Sequence, residues 1–254
     1  MDREAVLRAF DEQVRRRPVP DPPDGRVEDD GKVVRLIGAW NGVVWSDLDR
    51  TDADAVIAEQ VRRFAGQPWE WKHYDYDEPA DLRERLVAAG FTPDQEEALL
   101  IADIADLDLD VKPPPGIELR AVEDEDDVAA FVAVHDEVFG GDYSCLGRVL
   151  LTALTEHPGT AAAVVAWAED TPISAARAEF HVGTGFVSLW GGGTLPAWRG
   201  RGVFRALVAY RAALAKARGF RHLQVDASPD SRPILRRLGF AELAMTTPFT
   251  HPGD

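Results

Sequence analysis

The chain has 254 residues, with 44 Asp and Glu against 28 Lys and Arg, and a formal net charge of −16. A single Cys excludes a disulfide scaffold, and so many carboxylates argue against nonspecific nucleic-acid binding, because a phosphate backbone must be met by cations. No apolar run approaches the roughly 18 residues of a membrane span and the amino terminus is too charged for a signal peptide, so the expectation is a cytoplasmic protein of one large or two modest domains.

Val6, Leu7, Phe10 and Val14 recur at helical spacing, which predicts a helix over about the first fifteen residues. Arg15 to Arg17 and the prolines between Pro18 and Pro23 end it. Residues 33–37 and 42–45 read as short strands joined by the turn Ala39-Trp40-Asn41-Gly42. Thr51-Asp52-Ala53-Asp54 caps a helix through Phe64, with Val56, Ile57, Val61 and Phe64 on one face. Residues 69–76 alternate as a strand. Pro79 opens a helix that ends at Gly90, and 98–104 is another strand. Pro113-Pro114-Pro115 can continue neither a helix nor a central strand, which puts a boundary between domains 1–112 and 116–254.

Beyond that boundary, 117–122 is a strand, and helices follow over 124–138 and 143–156. Strands are expected over 160–167, 174–181 and 186–190. A glycine loop at 199–202 leads to an amphipathic helix over 203–218. A strand at 220–227, a helix at 230–238 and a strand at 241–247 complete the order. This is an α/β protein: a mixed, mostly antiparallel sheet with helices on both faces. The two parts also echo each other. Trp69 to Tyr74, a short helix and Ala89-Gly90-Phe91 match Phe220 to Asp226, a short helix and Leu238-Gly239-Phe240, as a duplicated fold or a chance likeness of common pieces would.

Charge is unevenly spread. Residues 1–115 carry 27 acidic and 15 basic side chains, and residues 116–254 carry 17 and 13. Within the second part, residues 199–237 hold ten Arg or Lys against only Asp226 and Asp230. A basic segment in an acidic chain implies either an anionic ligand or the solvated face of a helix.

That segment starts with Arg199-Gly200-Arg201-Gly202, between a strand and the start of a helix. Small residues there let backbone amides approach a ligand at the positive end of the helix, which suits phosphate or pyrophosphate. It is neither a P-loop nor GxGxxG. With Gly191-Gly192-Gly193-Thr194-Leu195-Pro196 before it and Ser231 to Phe240 after it, the chain resembles the GCN5-related N-acetyltransferase (GNAT) family over roughly residues 117–250. The family's Gln/Arg-x-x-Gly-x-Gly/Ala loop falls on Arg199, Gly202 and Phe204, the last departing from the small residue usual there. The resemblance implies the acyl-CoA N-acyltransferase fold, here duplicated with a degenerate first half, and acetyl-CoA as the cofactor.

It further implies that Arg199, Gly200, Arg201, Gly202, Val203 and Phe204 hold the pyrophosphate. Thr194 and Leu195 would border the pantetheine arm, Leu195 hydrogen-bonding it through its backbone, and Ser228 and Arg232 join the cofactor set. The family's tyrosine acid falls on Leu235, which cannot donate a proton. Acyl transfer also needs a neutral amine, hence a base or water relay. Glu179 and His181, two residues apart on one strand, share a face and are the candidates; a solvent-facing rim is the alternative for both. Tyr143 is the candidate acid. Ser228 reads equally as a helix cap, and Asp226 as a contact for a cationic acceptor. Cys145 reads as a buried small hydrophobe, and the histidines show no metal-ligand spacing.

The first domain has Asp47, Asp49, Asp52 and Asp54 before its helix, with no glycine, and so no anion loop. The expected activity is transfer of an acetyl group to a small, cationic amine by a monomer or homodimer, with no nucleic-acid or membrane partner. A non-catalytic acyl-CoA-binding or regulatory module is the alternative, and a structural tandem domain without cofactor is the third.

Overall fold

A computed structural model describes residues 2–22 and 24–253, so Pro23, the last of the predicted proline stop, lies outside the described residues. In chain order the elements are α1 (Arg3–Phe10), continued by a π-helical turn (Asp11–Arg15), β1 (Arg26–Asp29), β2 (Val33–Ile37), β3 (Gly42–Ser46), α2 (Ala53–Arg63), β4 (Trp69–Tyr74), α3 (Leu82–Ala88), β5 (Thr92–Pro93) and β6 (Glu97–Asp103). There follow β7 (Ile117–Ala121), α4 (Glu125–Phe139), α5 (Ser144–Glu156), β8 (Ala161–Ala168), β9 (Thr171–Phe180), β10 (Phe186–Thr194), α6 (Val203–Ala217), β11 (His222–Ala227), α7 (Arg232–Arg237) and β12 (Ala241–His251). Among the described residues no helix is long and apolar enough to cross a membrane.

The chain divides into two compact units. The first comprises residues 1–100, 226–236 and 241–254, and the second residues 101–225 and 237–240. This differs from a cut at the proline triplet, because β12 pairs antiparallel with β4 from Thr246–Tyr74 to His251–Trp69. Long-range pairing of that kind leaves no local trace in a sequence.

In the first unit, β1, β2 and β3 form an antiparallel meander, and β3 runs parallel to β4. Its core gathers Val33, Val43, Ile57, Phe64, Trp71 and Phe249. Phe64 stacks on Trp69 at 4.5 Å between centroids, a gain beyond area burial alone. Arg15, expected at a helix end, is buried instead. Its guanidinium donates to both carboxylate oxygens of Asp77 at 2.8 and 2.9 Å and lies 4.1 Å from the Tyr74 ring centroid. Removing either buried partner would strand the other's charge. Asp52 lies before α2 but its side chain does not cap it; the carboxylate accepts from the Asp49 N–H at 2.8 Å.

In the second unit, β7, β8, β9 and β10 pair antiparallel in that order, and β10 pairs parallel with β11. The segment Ala161–Ala168 lacks strict alternation because both of its faces are covered. Ala163 and Val165 meet Phe131, Val128 and Leu150, while Val164 and Ala166 meet Val203 and Leu207. Helix α4 begins where Asp124 accepts the Asp127 N–H at 2.9 Å, with three acidic residues in its first turn to favour the helix dipole. Cys145 is a correction: it is exposed, since the buried stripe of α5 is Gly147, Leu150 and Ala153.

Candidate functional site

Strand β10 bulges, with its register to β9 shifting between Trp190 and Gly193. The tri-glycine in that stretch is packed on both faces. A Cβ at Gly191 would overlap His135 Nε2, and one at Gly193 would stand 2.8 Å from Val138 Cγ1, both on the α4 side. A Cβ at Gly192 would stand 2.8 Å from the Phe204 ring on the α6 side. Alternation along a strand thus explains three consecutive glycines: helices approach the backbone closely from above and below. It also explains Phe204, whose ring takes the room that Gly192 leaves.

Pairing between β10 and β11 ends at Ser188–Gln224, although both strands continue. At the end of β10, Arg199 Nε donates to the Thr194 carbonyl at 3.0 Å and closes the loop on itself. The Thr194 hydroxyl lies 2.8 Å from Ser174 Oγ. Arg201 lies 4.8 Å from the Trp198 ring centroid, so Trp198 props the loop. Gly200 and Gly202 have φ of +73° and +90°. No protein atom lies within 4 Å of a Cβ at Gly200, and Pro114 Cγ, at 4.0 Å, is the nearest to one at Gly202. Gly202 is the N-cap of α6 and offers no side chain, while Val203 is buried and pins the helix start. The first amides of α6 are therefore uncapped and backed by the helix dipole, the arrangement that holds a phosphate group. The loop fits the pyrophosphate of an acyl-CoA.

Leu195 is arranged differently from the expectation. Its N–H donates to the Ile173 carbonyl at 2.9 Å, and its carbonyl accepts the Trp198 N–H at 2.9 Å. Any hydrogen bond from Leu195 to a pantetheine arm falls to the second lone pair of that carbonyl. In the first unit, Ser228 behaves as a cap, its carbonyl accepting the N–H groups of Ser231 and Arg232. Arg232 Nε donates to Glu242 at 2.9 Å, so its guanidinium is engaged. Asp226 pairs with Lys72 at 3.2 Å, and Lys72 also with Glu97 at 3.1 Å. Burial raises the Glu97 and Glu70 carboxyls above their ordinary values, against the pull of Lys72.

Glu179, on β9, and His181, one residue past its end, both lie beside Ser188 of β10. Glu179 accepts from Arg177, whose guanidinium lies 5.8 Å from the Trp190 ring centroid. His181 Nε2 lies 2.7 Å from Ser188 Oγ, which donates to Gln224 Oε1 at 2.7 Å. Ser188 has one proton, so His181 carries its own on Nε2 and presents a lone pair at Nδ1. That Nδ1 is buried without a partner among the described residues. Burial lowers the His181 pKa, with Glu179 opposing, which keeps the ring neutral at physiological pH.

Sequence reasoning missed His135. Its Nδ1 donates to the Phe131 carbonyl at 3.0 Å, and its Nε2 is buried against the Gly191 backbone of the bulge. Tyr143 lies near it, with ring centroids 5.7 Å apart, and Phe139 completes an aromatic group. His135 stands at helical spacing from Phe131 and Phe139, a pattern that reads as core. Among the described residues no group of three or more His, Cys, Asp or Glu is placed to hold a metal ion.

No curated protein is a significant match to the chain. Solved structures share the fold. A GCN5-related N-acetyltransferase from Kribbella flavida superposes with a TM-score of 0.66 at 19% identity, over 99% of this chain and 95% of that one. One from Sphaerobacter thermophilus gives 0.61 at 16% identity, over 99% and 86%. A tandem GNAT protein from the clavulanic acid biosynthesis pathway gives 0.62 at 11% identity, over 92% and 85%. The profile described as "Acetyltransferase (GNAT) family" matches residues 62–240, starting in α2 and running through the glycine loop and α7. With that span and these folds, the chain belongs to the acetyltransferase (GNAT) family, whose members transfer an acyl group from acyl-CoA to an amine.

Proposed function

We propose that the protein transfers acetyl from acetyl-CoA to the amine of a small, cationic acceptor. One observation carries this reading: an uncapped helix start behind two open glycines follows directly on a strand that bulges and parts from its neighbour. The bound thioester supplies an activated acyl carbonyl. Around it, the amides of Arg201, Gly202, Val203 and Phe204 receive the pyrophosphate. Arg201 adds charge, and Arg199 keeps the loop in shape. Glu179 is the base, oriented by Arg177, and the neutral His181 serves as the relay through its Nδ1 lone pair. Tyr143, whose ring lies near His135, is the candidate acid.

The acidity of residues 1–115 attracts cations, an effect that weakens with salt. This half is proposed as a degenerate duplicate. In support, β4, α3, Gly90 at φ +99° and Phe91 match β11, α7, Gly239 at φ +105° and Phe240. Before α2, Asp49 accepts the N–H groups of Thr51 and Asp52, so a carboxylate occupies the amides that an anion would need. A second reading, a non-catalytic acyl-CoA-binding module, is favoured by Leu235, 1% exposed where the resembling motif carries its acid.

A thiol-release assay with acetyl-CoA over a panel of polyamines and aminoglycosides separates the two. Turnover with any of these amines supports transfer, and binding of CoA without turnover on the whole panel supports the second reading. In the same assay, Glu179→Gln slows turnover most at low pH, where the amine is hardest to deprotonate. A ratio to wild type that stays flat with pH removes Glu179 as base.

A further inference from the structure

Arg211 lies on the sheet-facing side of α6, one turn beyond Leu207, and is 2% exposed. Its Nε donates to the Leu207 carbonyl at 3.1 Å and its Nη1 to the Arg177 carbonyl of β9 at 3.0 Å. Burial pulls its pKa down to about 9, and no carboxylate opposes the shift. The elements packed against α6 offer no counter-ion. Strands β8 and β10 carry no charged residue, β9 carries Arg177 and Glu179 paired with each other, and the turn at Ile104–Asp106 carries only the exposed Asp106. A buried cation with no counter-charge is costly, and among the described residues no carboxylate pairs with it.

The position of this charge along the sheet is informative. From Val203 to Arg211, α6 runs back about 12 Å at 1.5 Å per residue. About four strand residues cover the same length, which leads from Thr194 back to Trp190. The hydrogen bond agrees, since Arg177 is the register partner of Trp190. Trp190 lies just past Ser188, where β10 and β11 cease to pair. The guanidinium thus sits at the level where the strands part, roughly one to two strand spacings of about 5 Å away.

We infer that Arg211 stabilises the thiolate that leaves in acyl transfer, the sulfur being the anion that matches this unpaired buried charge. The inference rests on the acyl-transfer reading above. As the amine nitrogen bonds to the acyl carbon, the carbon–sulfur bond breaks and its electron pair stays on sulfur. The amine proton goes to the base. No tyrosine acid stands at the Leu235 position, so Arg211 holds the charge on the sulfur until the candidate acid Tyr143 or solvent protonates it. Arg211 acts through the field across β10 in a low-dielectric interior, without touching the sulfur, and is a positioning residue.

Binding tests this apart from turnover. Affinities for CoA and for desulfo-CoA, which lacks the thiol, are measured by calorimetry from pH 6 to 9. In the wild type, CoA gains on desulfo-CoA as pH rises, to about tenfold at pH 8, as the bound thiol ionises below the ordinary 8.5 or so. Arg211→Met abolishes that gain and leaves desulfo-CoA affinity within about twofold of wild type; Arg211→Lys keeps part of the gain. An Arg211→Met protein that keeps the full gain overturns the inference. So does a wild type that shows no gain, a result independent of whether any variant folds. Failure of the wild type to bind desulfo-CoA at all would instead bring down the acyl-transfer reading and this inference with it.

Discussion

Gly202→Trp lowers affinity for acetyl-CoA by about 100-fold or more, roughly 2.7 kcal/mol. Gly202 is the N-cap of α6 at φ +90°, and the space at its Cβ position is open up to Pro114. An indole placed there stands between the first amides of the helix and any anion that approaches them. The backbone strain of a side chain at positive φ is a separate cost of about 1–2 kcal/mol in stability. Gly219→Trp controls for that cost: Gly219 has φ +82°, open space at its Cβ position, and lies past the other end of α6. Both variants lose similar thermal stability, and only Gly202→Trp loses acetyl-CoA. Equal affinities in the two variants would show that the loop does not hold the cofactor.

Gly191→Ala destabilises the protein by about 2–4 kcal/mol, combining overpacking against His135 with the strain of positive φ. Gly191 has φ +56°, and its new methyl overlaps His135 Nε2. His135 has little room to retreat, since Phe131 lies 4.1 Å away between centroids and the Nδ1 hydrogen bond fixes the ring. His135→Ala in the same chain recovers the steric part but not the strain. Denaturant unfolding of both single variants and the double variant should give a coupling above about 1 kcal/mol, beyond what distant sites show. Strictly additive losses would mean that α4 does not press on the bulge.

The glycine loop was legible because its glycines and arginines are local. They lie between a strand and a helix, and 199–237 is basic in an acidic chain. Most of the element order was legible from periodicity. Strand β1 was not: Arg-Val-Glu-Asp at a sheet edge shows no apolar alternation, since only one of its four residues is even half-buried. β5 is two residues long and contains Pro93. The membership of β12 in the first unit depends on pairing with β4 far away in sequence, Thr247 with His73 and Thr250 with Glu70, and no local pattern encodes it.

Within the site, Glu179 and His181 are two residues apart and both lie beside Ser188, so that much was readable. The chain from His181 through Ser188 to Gln224 crosses three strands and needs their register. Arg211 illustrates the limit most clearly. In sequence it is one more arginine on an amphipathic helix, and only packing against β9 shows that it is buried and without a carboxylate.

The central claim is that the loop at 199–204 and the start of α6 hold an acyl-CoA. Backbone amide chemical shifts, followed during titration of the wild type with CoA, test it most directly. The account predicts saturable 1:1 binding in the micromolar to millimolar range usual for enzyme substrates, with the largest shifts at Gly200 to Arg205 and along Trp190 to Thr194. Saturation with those amides unmoved, or no saturation, would contradict it.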